Sequence, residues 1–491
     1  MYQVNDRIQF IDNQFATVRF VGQIPEWGEQ LALGVEWDDP ARGKNNGSVG
    51  GIEYFKTRQA GAGSFIKVNN KKILNKRVSF DEALLETYGV EENQIGAAIR
   101  IGSKKVESYG FEKLNKINAN FSRLTSVSLD FKCIYTICKG RSLLSLTSLV
   151  KLDFSFNLIN DMGDIWSALD KLRTLKELNL NGNRFEIIPK SNTIHGLEIL
   201  KLSNTRIRPS DLKQSVLPKF PHLREITLAS NGYTDEDDLS FNFIENVDLS
   251  FNGLTQIPSV NCLSLNLSDN KINYIYNACT FKAIDLRYNE IDSWEFVEDL
   301  QSKSRLRELR IDNNPLFEGL EEDEVTVNLI ARFECVDDKS AQEEGLRKLN
   351  GSRLSREEIE NAELYFISKV QKGDYICNET SERWKQLKSK HNVKDEIRGP
   401  RLNEFAYHKI RIKVYWNNEL ILDQMLLNTN TIMRLKGSVS RKLNKSIFSF
   451  RLYYFLTAEV KQYLDDEIGR IGDFDLHQQD IYIAIEANHV K

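Results

Sequence analysis

Between Leu149 and Leu316 the apolar residues fall into one short phrase that keeps returning. It reads LVKLDFSFNLI at 149, LKELNLNGNRF at 175, LREITLASNGY at 223, IENVDLSFNGL at 244 and LRELRIDNNPL at 306. Written generally it is L-x-x-L-x-L-x-x-N-x-L. Looser copies begin at Leu197, Cys262 and Phe281, and LTSVSLDFKCI at Leu124 is an irregular first copy. The asparagine slot falls at Lys132, Asn157, Asn183, Thr205, Asn231, Asn252, Asn270, Asn289 and Asn314, with spacings of 18 to 26 residues. The alternating L-x-L has the period of a short strand with one buried face. Leu178/Leu180 and Val247/Leu249 are therefore predicted to point inward, and Asn179, Asp248 and Asp285 outward on a concave side. An asparagine just past the strand suits a tight turn and bonds local backbone.

This is the leucine-rich repeat pattern, and it predicts an α/β solenoid over residues 124–350. One copy cannot bury its own apolar edge, so the copies must stack and both ends need caps. Residues 79–123 are read as a connector leading into the N-terminal cap, with Ser79 capping a short helix and Glu82 answering it. Beyond Leu316, LFEGLEEDEVTVNLIARFECV resembles the helical cap that closes many such solenoids, with IARF at Ile330 as its mark. Ile359, Leu364, Ile367 and Val370 then recur at helical spacing after Ser355. The lysine-rich run 381–404 reads as a solvated helix or linker, within a helical and basic linker spanning 351–404. Residues 405–491 alternate strand, strand, helix, strand and strand, the order of a ubiquitin-like β-grasp roll. The chain ends without a Gly-Gly tail, so conjugation is not expected.

Composition narrows the function classes. The 491 residues carry a net charge of -4, with 41% hydrophobic and 28% charged residues. That balance argues against a dedicated nucleic-acid binder, and no apolar run is long enough for a membrane span. MYQVNDRIQF lacks a signal core. Six cysteines without a C-x-x-C pair make neither a disulfide nor a zinc framework, so a reduced cytoplasmic compartment is expected. The outward residues of the repeats hold no clustered metal ligands and no nucleophile with its base. An enzyme is not expected, and no cofactor.

Residues 1–78 are β-patterned, with strand candidates at Val18/Phe20, Leu33/Val35/Trp37 and Phe65/Ile66/Val68. Between them lies the glycine-rich run RGKNNGSVGGIEYF from Arg42 to Phe55. It lacks the G-x-x-x-x-G-K-[ST] order and the following helix that a phosphate loop needs. The run GVEWDDPARGKNNGSVGGIEYF, followed by GSFIKV at Gly63, resembles the CAP-Gly family, whose signature is G-K-N-D-G. The resemblance implies binding of acidic C-terminal tails that end in Glu-Glu-Tyr or Glu-Glu-Phe. Carried over, Lys44 and Asn45 hold the terminal carboxylate. Trp37, Phe55 and Phe65 line or support the aromatic pocket, and Gly43 and Gly47 shape the loop. Asn46 stands where the family has Asp, which removes a charge from the loop. Trp37 and Phe55 could equally be core, and Lys44 a solvated lysine. Residues 1–78 hold eleven Lys/Arg against eight Asp/Glu, a mildly basic balance that suits an acidic tail.

The whole order describes a multidomain α+β chain: a β-rich CAP-Gly domain, a leucine-rich repeat solenoid and a ubiquitin-like roll. It resembles the tubulin-folding cofactor E family, as does LNGSRLSREEIENAELYFISKV after the solenoid. The resemblance implies a cytoplasmic, cytoskeleton-associated chaperone that binds α-tubulin and takes part in αβ-tubulin assembly and dissociation. Its implied partners are cofactors D, C and B and an Arf-like small GTPase. The tail pocket would hold the α-tubulin tail and the concave repeat face its folded body. Two alternatives stay open. A microtubule plus-end adaptor shares the pocket, although neither a heptad run nor Ser/Pro-rich basic arms is found. A shuttle would reach the proteasome through residues 405–491.

Overall fold

The computed structural model describes residues 2–74, 76–89, 100–101, 104–105, 120–137, 142–191, 193–276, 280–337, 344–393, 409–427, 430–455, 460–466, 469–474, 476 and 480–485. Much of the expected 79–123 connector, residues 394–408, Cys138, Cys279 and the closing residues 486–491 lie outside them. The chain divides into two units, 1–393 and 394–491.

The core of the first unit is an 11-stranded sheet whose strands follow chain order, from Ser126–Ser128 to Ser352–Arg353. Its strands run parallel up to Lys348–Leu349. The register joins Leu152, Leu178, Leu200, Ile226, Val247, Leu265, Ile284 and Leu309 into one buried apolar column. Each such side chain contributes roughly 1.5–3 kcal/mol.

The turn leaving each strand is the recurring polar device. Each slot asparagine donates through Nδ2 to a carbonyl of the preceding coil: Asn157 to Leu129, Asn270 to Leu249, Asn289 to Leu267 and Asn314 to Leu286. Asn183 Oδ1 has no partner among the described residues, and Asn231 Oδ1 takes the Thr205 and Arg206 N–H groups. In the other slots Oδ1 accepts the N–H lying two residues past the preceding coil's slot. These donors are Ile134, Tyr233, Leu254, Ile272 and Ile291. One residue before each slot the backbone swings to positive φ, at Phe131, Phe156, Gly182, Asn204, Ser230, Phe251, Asp269, Tyr288 and Asn313. The N–H of that residue bonds a carbonyl of the next coil, as in Phe156 to Asn181 and Phe251 to Ser268. At Thr205 the hydroxyl reaches Leu202 of its own coil and leans on Asn231 Oδ1 instead.

Both ends of the stack are closed. Val78–Ser79 pairs with Ile134–Thr136, and the helix Phe80–Tyr88 starts at a Ser79/Glu82 capping box. That helix buries Phe80, Ala83 and Leu84, with Phe80 edge-on to Phe154 at 5.6 Å. At the far end the helix Glu322–Arg332 packs with Arg356–Lys372, which opens on a Ser355/Glu358 capping box. Two expectations change here. Leu364 is 50% exposed, and Ala362 and Phe366 take the buried positions beside Ile359, Ile367 and Val370. The basic run is not a solvated element over Glu382–Lys390: Trp384 and Leu387 are buried against Ala331 and Phe366. Arg383, Lys390 and His391 converge on the fully buried Glu363 at 2.6–2.8 Å. Arg383 and Lys390 thus serve one internal carboxylate, while Lys385 pairs with the exposed Glu382.

The second unit is a 5-stranded sheet in the order Glu419–Leu427, Lys409–Trp416, Asp480–Ile485, Phe450–Phe455, Lys461–Tyr463. Its two central strands run parallel. The helix Ile432–Leu443 lays Ile432, Leu435 and Val439 on one face, capped by Thr431. This is the β-grasp order.

The asparagine ladder carries a direct test. In Asn289→Ala the Ile272 N–H loses its partner inside the stack, and the Leu267 and Leu286 carbonyls are left with only the Asn270 and Asn314 amides. The expected cost is about 3 kcal/mol, read as a lower urea midpoint.

Candidate tail-binding site and its mounting

Residues 2–74 form a 4-stranded antiparallel sheet in the order Arg7–Gln9, Phe15–Gln23, Leu31–Trp37, Gly63–Lys67. Strand alternation sorts its aromatic residues onto two faces. Gly34 lies opposite Phe65 and Phe20, and Val35 lies opposite Ser64. On the Gly34 face, Phe20, Tyr54, Phe55 and Phe65 meet edge to face. Centroids are 5.1 Å for Phe20–Tyr54, 5.6 Å for Tyr54–Phe65 and 5.3 Å for Phe55–Phe65. Trp37 stands on the other face. It packs on Phe10 at 4.5 Å, donates its indole N–H to Ser64 Oγ at 3.1 Å, and carries the Arg42 guanidinium at 4.3 Å. The structure thus separates Trp37 from the Phe55/Phe65 cluster and makes it core.

The loop 43–47 is pinned between the two flanks of this cluster. Lys44 and Asn45 donate backbone N–H to Gly63 O at 2.7 and 3.0 Å, and Gly63 returns a bond to Asn45 O. Tyr54 donates to Gly47 O at 2.9 Å. Asn45 Oδ1 accepts Gly47 N–H at 2.9 Å, which leaves its amide nitrogen as a donor. Asn46 Oδ1 accepts Gly61 N–H, a bond that any acceptor oxygen at this position can make. The missing charge therefore does not open the loop. Both expected glycines are required by space. A Cβ at Gly43 would lie 1.7 Å from Gly61 O, and one at Gly47, where φ is +98°, would lie 1.9 Å from Phe55 O. Lys44 is exposed and makes no ion pair among the described residues. Phe20 and Tyr54 were absent from the expected set. The pairing of Phe20 with a glycine across the sheet, which requires the register, is what would have found them.

The domain is mounted on the solenoid by buried charge. Arg7, itself fully buried, grips Asp38 with two bonds of 2.6 Å. Arg184 of the solenoid approaches the same carboxylate at 3.7 Å, and Arg206 donates to Asp38 O at 2.9 Å. A second knot joins Glu186 to Arg19 at 3.0 Å and Arg58 at 2.6 Å, while Glu36 accepts from Arg19 and from the Arg58 N–H. On the two coils before those of the knots, Phe15 sits with Cys133, Leu158 and the stacked pair Phe131–Phe156. Burial alone would raise the Asp38 carboxyl, but the guanidiniums of Arg7 and Arg184 hold it below the ordinary carboxylate range. Burial draws Arg184 down to about 10.

With this geometry in view, the likenesses to known proteins are informative. Residues 4–71 match the family model described as CAP-Gly domain. The chain is 25% identical to Protein PAC2 of Saccharomyces cerevisiae, over 98% of this chain and 96% of that protein. It is 28% identical to Tubulin-specific chaperone E of Homo sapiens and 26% to that of Rattus norvegicus, covering 90% of this chain and 91% of each. Along nearly its whole length the chain is similar to proteins named Tubulin-specific chaperone E.

Asp38→Asn leaves Arg7 and Arg184 buried without their counter-charge, and should cost about 3–5 kcal/mol. The sign with pH follows from the lowered carboxyl. Its contribution is complete above the ordinary aspartate value of about 4 and is lost as pH falls through the folded value. Urea midpoints should fall below about pH 4 in the wild type, and Asp38→Asn should flatten that acid limb.

Proposed function

We propose that this chain is a tubulin-folding chaperone that binds α-tubulin at two places. Residues 1–78 take the acidic C-terminal tail, and the solenoid with its cap, 124–350, meets the folded body. The observation that carries the reading is the 43–47 loop, built around Gly43 and Gly47, with an exposed lysine bonded alongside an aromatic cluster. Relatives that share nearly the full length are named tubulin-specific chaperones. A terminal Glu-Glu-Tyr offers a carboxylate for Lys44 and the Asn45 amide, and a ring for Phe55 and Phe65 with Phe20 and Tyr54. Trp37 acts from behind by fixing the strand that carries Gly34. The 405–491 unit is assigned to another folding cofactor among cofactors D, C and B, with an Arf-like GTPase in the same cytoplasmic cycle of heterodimer assembly and dissociation.

Titration of the full chain with a labelled peptide ending in Glu-Glu-Tyr tests the pocket. Lys44→Ala should weaken binding about tenfold, the size of a charge-assisted bond, and removing the terminal tyrosine should do at least as much. Asn45→Ala should weaken it further, since it also releases the Gly47 turn. Affinity should fall with salt. Equal affinity for the peptide with and without its tyrosine would sink the pocket reading.

A further inference from the structure

The left-handed residue before each asparagine slot is a position where side chains cost energy. Glycine and asparagine accept it, whereas a bulky residue there is a true outlier. Even so, aromatic residues fill it in four coils: Phe131, Phe156, Phe251 and Tyr288, at φ values of 52–57°. The first two have an evident reason. Phe131 and Phe156 stack at 4.7 Å and meet Phe15 of the N-terminal domain at 6.1 and 6.4 Å. Gly182, in the next coil's same slot, clears the space, since a Cβ there would lie 2.4 Å from the Phe156 ring. In these coils strain is exchanged for a domain interface.

Among the described residues, the Phe251 and Tyr288 rings meet no other aromatic ring. They are 58% and 53% exposed. They sit on the same edge, with Asp269 of the intervening coil between them, ~10 Å apart at a strand spacing of about 4.8 Å. The edge is continuous with the mounted domain. The salt bridges and hydrogen bonds of that domain reach the coils of Glu186 and Arg206, and Phe251 lies two coils beyond Arg206. Backbone bonds to Ser268 and Asp312 hold the turns themselves, so strain borne by aromatic side chains that stay this exposed points to use. The concave face is less suited to a first contact, because its charges already serve one another. Glu177 bridges Lys151 and Lys201 at 2.9 and 2.6 Å, and Arg224 holds Glu245 at 2.8 Å.

We propose that Phe251 and Tyr288 form an aromatic ledge on which the folded body of α-tubulin docks, beside the domain that holds its tail. The occupant rests on the tubulin reading given above. The ledge extends an interface that the molecule already makes with its own N-terminal domain, using the same backbone slot and the same residue type.

The strain makes the test two-sided. The double variant Phe251→Asn/Tyr288→Asn replaces strained aromatics by a residue at ease with positive φ. Its unfolding midpoint should rise by roughly 2–4 °C, while its affinity for αβ-tubulin stripped of C-terminal tails falls about tenfold or more. Affinity for the isolated Glu-Glu-Tyr peptide should not change. The same substitution at Phe131 and Phe156 should lower the midpoint, because there the rings are interface. Unchanged affinity for tail-less tubulin overturns the ledge. So does a wild type that binds the peptide but not tail-less tubulin, or a fall in both midpoint and affinity, which marks the rings as packing. Loss of self-association instead, seen by sedimentation of the chain alone, assigns the edge to a second copy and also overturns it. If the peptide fails to bind while tail-less tubulin binding depends on Phe251 and Tyr288, the ledge stands and the tail pocket falls.

Discussion

The constraint on which the first unit depends is the corner that follows each strand. A parallel ladder of very short strands leaves backbone groups exposed at both ends of every strand, and a buried one without a partner costs about 1–3 kcal/mol. The slot asparagines answer this by serving two coils at once, with the amide nitrogen on carbonyls and the amide oxygen on an N–H. Apolar burial supplies most of the cohesion, but a leucine column tolerates sliding. The asparagine geometry does not, so it sets how each coil sits on the last. That spacing in turn lines up the left-handed residues along one edge, and the edge is where the N-terminal domain is mounted.

The mounting illustrates how buried charge decides geometry more than stability. Asp38 meets Arg7 and Arg184, and Glu186 meets Arg19 and Arg58. The desolvation cost of such groups offsets much of their attraction, so apolar contact at Phe15 would hold the domains together less selectively but as firmly. What the ion pairs add is orientation. Glu36 ties the knot at Glu186 to the Arg58 backbone, three residues from the Gly61 N–H that Asn46 accepts. The tail loop is therefore braced, through a short chain of bonds, by a residue of the solenoid.

The repeat was legible because its information is local. The L-x-L column, the asparagine slots and the Ser79 cap each follow from a few neighbouring residues, and they appear where the pattern places them. The loop glycines at 43 and 47 were legible for the same reason. What escaped depends on pairs far apart in the chain. Glu186 and Arg58 are separated by 128 positions, and nothing in either segment announces the other. Trp37 was carried over with Phe55 from the CAP-Gly resemblance, although strand parity put it on the opposite face. The basic helix Glu382–Lys390 read as solvated because Arg383 and Lys390 answer Glu363, a buried carboxylate that a helical periodicity treats as surface.

A rigid mounting changes what two-site binding can achieve. When weak sites are joined by a slack linker, the gain in effective concentration goes to any partner long enough to reach both. Here the N-terminal domain is fixed on the solenoid edge, so under the proposed two-site binding the gain, about 10²–10⁴ when the geometry matches, would go only to a protein whose body meets that edge while its tail is held. On the two-site reading proposed above, an acidic tail on an unrelated protein would bind the pocket alone and leave quickly. Discrimination then comes from the distance between two modest contacts rather than from the strength of either. A chaperone that must release its client has reason to keep both contacts weak.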